Sequence, residues 1–183
     1  MAGFPHIGAY GVPLPPPASG SWMTIPTPAV TVRSDGSGTI RYSPIDIPST
    51  ITFQSIALEV TTAAAGATVE LGIYHDDGNS VPGALLVDAG AIDASTTGIK
   101  TIAITETLTA GRWWLAGLIL GATVDVRAGT GSLPGLWTPN SDVATLSQYA
   151  IPSWYNIGLA ALPDPPTFNN VSDTVYRIML RAS

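Results

Sequence analysis

The chain contains no cysteine. That excludes disulfide scaffolds, thiolate zinc sites and cysteine nucleophiles. Charge is also scarce: 11% of residues are charged, against roughly 25% in ordinary soluble domains. Lys100 is the single lysine, and Arg33, Arg41, Arg112, Arg127, Arg177 and Arg181 are scattered. No basic patch forms, so duplex nucleic acid is not an expected partner, because phosphate binding requires clustered cations. No stretch approaches the roughly 18 apolar residues that cross a bilayer as a helix, so no membrane insertion is expected. The most apolar run, 113–122, is shorter and holds Gly117 and Gly121. Residues 1–17 carry neither lysine nor arginine nor a continuous apolar run, so no signal peptide is expected there.

What is present suits one domain with an arm. The 183 residues are 45% hydrophobic, enough for a sizeable core. With 19 glycines and 16 prolines, turns and short strands are favoured over long helices. Seven lysines and arginines against 13 acids give a formal net charge of −6. So little charge on a chain with mean hydropathy of +0.30 suggests surface buried in further contacts, as in a homo-oligomer or a larger particle.

Residues 1–28 differ from the rest. They hold seven prolines, including Pro15, Pro16 and Pro17, which impose extended backbone. Phe4, Ile7, Tyr10 and Trp22 are spread through them. The reading is an extended arm docked on a surface, with these four as candidate assembly residues.

From residue 29 the pattern is β. A strand is expected over 39–47, with Pro44 as an edge or bulge signal. Over 52–61, Ile56, Leu58 and Val60 alternate with Ser55, Ala57 and Glu59, which predicts a half-buried strand. Residues 68–74 repeat the pattern with Val69, Leu71 and Ile73 inward. Asp76 to Asn79 form a turn, Pro82-Gly83 a second, and strands follow over 84–92 and 99–105. Residues 113–120, apolar on both faces, read as a central strand. It places Trp113 and Trp114 on opposite sides. A short strand covers 124–128 and a closing one 174–180. Between them, 129–173 reads as a long aromatic loop region. Strands at this spacing, with no helical period, predict an all-β antiparallel sandwich, jelly-roll-like, over 29–183.

Chemistry-bearing constellations are weak. The two histidines are His6, in the arm, and His75, beside a turn. No Gly-x-Ser-x-Gly elbow exists. Asp76, Asp77 and Asn79 offer oxygen ligands of the kind calcium takes, but without EF-hand spacing, and a hairpin turn accounts for them. Glu59 and Glu70 fall on neighbouring expected strands and are read as solvated rather than as a hydrolytic pair. No phosphate loop is present. The expectation is a non-enzyme without cofactor or metal. Aromatics are the remaining candidates, since Trp and Tyr suit both interfaces and sugar stacking. Trp137, Trp154 and Tyr155 are expected to form an exposed recognition surface.

The blocks Ile56-Ala-Leu-Glu-Val-Thr-Thr, Val69-Glu-Leu-Gly-Ile-Tyr, the segment from Asp76 to Gly90, and Leu108-Thr-Ala-Gly-Arg-Trp-Trp-Leu-Ala resemble small β-sandwich proteins of tailed bacteriophages, especially those of actinobacterial hosts. The opening His6-Ile-Gly-Ala-Tyr-Gly-Val-Pro is similar to the start of such proteins. The resemblance covers about residues 1–125 and supplies no catalytic residues. It implies a minor tail or tail-fibre component, made in the host cytoplasm and located in the virion. It further implies a homo-oligomer, with a trimer favoured, bound through its arm to other virion proteins and able to bind a host-surface glycan. A capsid decoration protein or head fibre is the alternative within that class. A free carbohydrate-binding module is the alternative outside it.

Overall fold

A computed structural model describes residues 17–25, 27, 29–130, 153–168 and 170–183. Phe4, Ile7, Tyr10 and Trp137 lie outside the described residues. Those described hold thirteen strands and no helix: β1 (Trp22–Thr24), β2 (Ala29–Asp35), β3 (Thr39–Ile47), β4 (Ile51–Thr62), β5 (Thr68–Asp76), β6 (Pro82–Asp93), β7 (Gly98–Leu108), β8 (Gly111–Leu120), β9 (Val124–Thr130), β10 (Ser153–Asn156), β11 (Asn170–Ser172), β12 (Thr174–Tyr176) and β13 (Met179–Ala182). They form two antiparallel sheets packed as a β-sandwich. One has the order β11-β10-β3-β8-β5-β6. The other joins β1, β13, β4, β9 and β12, with β7 also on β4 and β2 also on β9.

The alternation read from the sequence places the core. Ile56, Leu58 and Val60 of β4 meet Val69, Leu71 and Ile73 of β5 between the sheets, all buried. Ile102 and Ile104 of β7 pack on the same cluster. β8 pairs with β3 on one side and β5 on the other, and is buried on both faces as a central strand. Trp113 joins the core between the sheets, while Trp114 enters a second cluster on the outer face of the six-stranded sheet. Each indole N–H is satisfied, Trp113 by Thr109 O and Trp114 by Asp76 Oδ2, both at 2.9 Å.

Four expectations are corrected. Pro82 opens β6 opposite Asp76 rather than forming a turn. β6 is the last strand of its sheet, where a residue without N–H costs no ladder bond. The turn lies wholly in 77–81, closed by Asp77 N–H on Val81 O (3.1 Å) and by the Asp77 carboxylate on Asn79 N–H (2.7 Å).

The closing strand is two strands. β7 and β2 occupy the far edges of β4 and β9, and those two strands pair with each other only at Val60↔Val126 and Thr62↔Asp125. They diverge from there, and the end of the chain fills the gap. β12 adds to β9, Arg177 N–H still bonds Arg127 O (3.0 Å), and β13 then adds to β4.

The arm expected over 1–28 is not all arm. β1 pairs with β13, and Ile25, 1% exposed, is part of the core. The sandwich therefore starts before residue 22. Finally, β10 and β11 interrupt the expected loop region, with β10 registered on Ile40–Tyr42 of β3. Pro44 lies just past that contact, where β3 has β8 as its one neighbour among the described residues.

One charged joint holds the two sheets at this end. Arg41, 1% exposed, projects inward from β3 and donates through Nε and Nη2 to both oxygens of Asp35, the last residue of β2. Tyr176 of β12 donates to Asp35 Oδ2 (2.8 Å), and Arg33 Nε reaches Oδ1 (3.1 Å). The Arg41 guanidinium also lies 4.8 Å from the Tyr155 ring and 5.8 Å from that of Tyr176. Gly117 stands opposite Arg41, where a Cβ would come 2.9 Å from Tyr176 Cδ2, so the ring needs a glycine there. Burial pushes the Asp35 carboxyl up, but the hydrogen bonds and charge of Arg41, with Tyr176 and Arg33, outweigh it and hold it below the ordinary value of 3.8.

Arg41→Met leaves a buried carboxylate with only Arg33 as counter-ion, and should cost about 3 kcal/mol in urea unfolding. The linkage sign follows from the lowered carboxyl. Its stabilisation is complete above the unfolded value, is lost as pH falls through the lower folded value, and should be missing from the acid limb of Asp35→Asn.

Candidate functional site

The two sheets present different outer faces. That of the six-stranded sheet is covered. Segment 157–168 leaves β10 and crosses it as a strap, with Leu162 seated over Gly72 of β5. A Cβ on Gly72 would lie 2.8 Å from Leu162 Cδ1, so the seat exists because the residue has no side chain. Bonds that fix the strap include Leu162 N–H to Glu70 Oε2 (3.2 Å), Tyr74 OH to Pro163 O (3.0 Å), Leu85 N–H to Asp164 Oδ1 (3.2 Å), Leu159 N–H to Gly38 O (3.0 Å) and Asn156 Nδ2–H to Thr167 Oγ1 (3.0 Å). Burial pushes the Glu70 carboxyl up; the Leu162 N–H opposes this and the Asp88 charge adds to it. Burial likewise raises the Tyr74 hydroxyl.

Trp154 belongs to this covered face. Its ring lies 4.8 Å from that of Phe168, beside Tyr42, and its indole nitrogen is buried without a hydrogen-bond partner among the described residues. Tyr155 is its strand neighbour and therefore points the other way, onto Arg41. The two residues are both half-buried and do not share one surface.

The outer face of the seven-stranded sheet carries no strap among the described residues. Directly opposed residues share a face, so its rows can be read from the register. Trp22, Arg181, Ser55 and Ala103 form one row across β1, β13, β4 and β7. Thr24, Met179, Ala57 and Thr101 form the next. Further along, Ile99 stands beside Glu59, and Val32 beside Arg127. Arg127 donates to both Glu59 oxygens at 2.9 Å, and this ion pair holds the Glu59 carboxyl low. Ile99 and Val32, in register beside it, are 65% and 43% exposed, and Val30 and Trp22 elsewhere on the sheet are 57% and 45% exposed. Arg181 lies 5.9 Å from the Trp22 ring centre and donates to Gly20 O. Trp22 is thus the candidate residue that the structure places on an open surface. Val30, Val32 and Ile99 were not singled out from the sequence.

The face has small hydroxyls, apolar side chains, one neutralised ion pair and Arg181. That composition suits non-covalent contact with another surface. His75 lies against Trp113, ring centres 4.8 Å apart, and makes no hydrogen bond among the described residues. Nor is there, among them, a cluster of three His, Asp or Glu able to hold a metal ion. The acids of the 76–79 turn bind backbone and side-chain donors of the turn and the Trp114 indole.

No protein-family model matches the chain, and no curated protein gives a significant match. Among solved structures the fold is similar to that of the clostridial cysteine protease Cwp84 after propeptide cleavage, with a TM-score of 0.50 and 14% identity. The likeness covers 86% of this chain and 41% of that one, and at this identity it concerns the fold alone. This chain has no cysteine and so carries no thiol nucleophile.

If Trp154 and the strap serve packing, Trp154→Ala should lower stability by about 2–4 kcal/mol. Tyr74→Phe should cost about 1 kcal/mol and speed hydrogen exchange at the Leu162 amide more than in β4. Uniform exchange across both would count against the strap as a separate unit.

Proposed function

We propose that this chain is a non-enzymatic structural protein that works through surface contacts, and that its setting is the one the sequence resemblance implies: the virion of a tailed phage, as a minor tail or tail-fibre component. The observation that carries the contact role is the open outer face of the seven-stranded sheet, where Ile99 and Val32 are exposed beside the Glu59–Arg127 pair and Val30 and Trp22 are exposed on the same sheet. Contiguous exposed apolar surface on a folded domain marks an interaction site. The low overall charge agrees with a protein much of whose surface is buried on assembly. β1 adds a second support. It lies at the edge of that sheet, so the proline-rich segment preceding it joins the fold beside Trp22. An extended segment there can add contacts along a neighbouring subunit.

The test is made on particles. The chain should co-sediment with virions of the phage that encodes it. A version lacking residues 1–16 should fold, since β1 and Ile25 are kept, yet fail to enter particles. Removing 1–28 is the wrong cut, because it takes β1 and a core side chain with the arm. Recovery of the full chain only in the soluble fraction would defeat the virion reading; normal incorporation of the truncated form would defeat the role of the arm. Tens to hundreds of copies per particle would move the assignment from tail to capsid decoration.

A further inference from the structure

The second edge of β7 pairs with no strand among the described residues. Such an edge offers N–H and C=O groups to any strand that reaches it, and folded proteins blunt edges with proline, charge, bulges or short length. The other outer strands are blunted. β6 starts at Pro82, carries Asp88 and Asp93, and shifts register three times against β5. β2 has seven residues and follows Pro26 and Pro28 in the sequence. β1, β11 and β12 have three residues each. β7 is blunted least: it is neither short nor interrupted by proline, and carries one register shift against β4, between Ala103 and Glu106, and two charges. It runs eleven residues without proline, alternates in exposure along its length, and is rich in β-branched Ile and Thr.

Its two charges are the decisive feature. Lys100 and Glu106 lie on the same, inward face of β7. Six residues apart, they are separated by roughly 20 Å along the strand and cannot meet. Lys100 donates to Thr96 Oγ1 and feels the charge of Asp93, but among the described residues neither Lys100 nor Glu106 is in an ion pair.

We propose that β7 pairs antiparallel with β7 of a second copy of this chain, about a two-fold axis at Ala103. In that register Lys100 of each copy stands opposite Glu106 of the other, on the same face. Ile102 meets Ile104, Thr101 meets Thr105, and Ile99 meets Thr107. A slip of the axis to Ile102 or Ile104 sets both charges against uncharged residues, so the ion pairs select Ala103. A cleft of about 370 Å³ beside this edge, lined by Ala91 to Asp93 of β6 and Ile99 to Ile102 of β7, leaves room for the incoming strand's inward side chains. The seven-stranded sheets of two copies then run on as one. The inference rests on the edge alone and holds whether or not the chain belongs to a virion.

The experiment is sedimentation equilibrium on the full chain and three variants. The unaltered chain should show a monomer–dimer equilibrium that weakens with salt. Lys100→Glu and Glu106→Lys each place like charges opposite one another twice per dimer, and should raise the dissociation constant about tenfold or more. The double reversal, K100E with E106K, should restore dimerisation. Circular dichroism and urea unfolding check that each variant is folded. A chain that stays monomeric to about 1 mM overturns the proposal. So does an oligomer of any size whose mass neither reversal changes, or a folded double reversal that does not recover the dimer.

Discussion

A buried guanidinium in the space between two sheets is the constraint around which one end of this sandwich is organised. Arg41 is nearly sealed from solvent, and such a charge is tolerated only where its donors and its field are both answered. The answer comes from three strands: Asp35 at the end of β2, Tyr176 and the Thr174 carbonyl on β12, and the face of Tyr155 on β10. Each partner fixes something else. Asp35 sets where β2 must stop and turn into β3 across the sandwich. Tyr176 draws the end of the chain against β9 before it shifts to β4. Tyr155 fixes the facing of β10, and thereby sends Trp154 to the opposite side. An apolar residue at 41 would leave β2, β12 and β10 with no common point. The joint therefore contributes geometry as well as energy, which is the better-supported use of buried ion pairs.

The fixed facing of β10 creates the asymmetry between the two outer faces. With Trp154 turned outward, the six-stranded sheet gains an aromatic cluster of Tyr42, Tyr74, Trp114 and Phe168, and the strap covers it. That sheet is buried on both sides, which is why β8 can be apolar throughout. The seven-stranded sheet has no equivalent cover among the described residues. Its outer rows accordingly alternate small or hydroxylic residues with a few large apolar ones, a pattern neither of a core nor of an ordinary charged surface. A chain with so few charges has limited means of solvating such a face, and contact with another surface is the natural resolution.

How much of this was legible in the sequence depends on the kind of signal. Period-two alternation located β4, β5 and β7 and the facing of their core residues, because one buried face imposes that pattern directly, while β8 was legible as a run apolar on both faces. The same rule put Trp113 and Trp114 on opposite faces. It also applies to Trp154 and Tyr155, but proline and glycine around them mask a strand of four residues, and adjacency was read as a shared surface. Three other features left no local trace. Arg41 looks like any scattered arginine until Asp35, six residues away, turns back beside it. The break at Arg177 is imposed by the divergence of β4 and β9, strands distant in sequence. The strap depends on Gly72, and the Tyr176 ring on Gly117, only as absent side chains, and absence has no periodicity.

The distribution of charge carries the argument one step further. Four of the six arginines are in ion pairs: Arg33 and Arg41 with Asp35, Arg112 with Asp46, and Arg127 with Glu59. Arg181 lies over Trp22 and bonds a backbone carbonyl, and Glu70 accepts the Leu162 amide. In a chain this poor in charge, nearly every long ionic side chain has a defined structural partner, as a weakly solvated protein requires. Arg177, with its Nε buried and unpartnered among the described residues, is one departure; the other two fall on one strand. Lys100 and Glu106 are opposite in sign, on one face, beyond reach of each other, and symmetric about Ala103 in a long, proline-free edge strand. Scatter alone would place two unmatched charges of opposite sign anywhere on the surface. Their symmetric placement on a free edge is what a strand requires when its complement is its own copy.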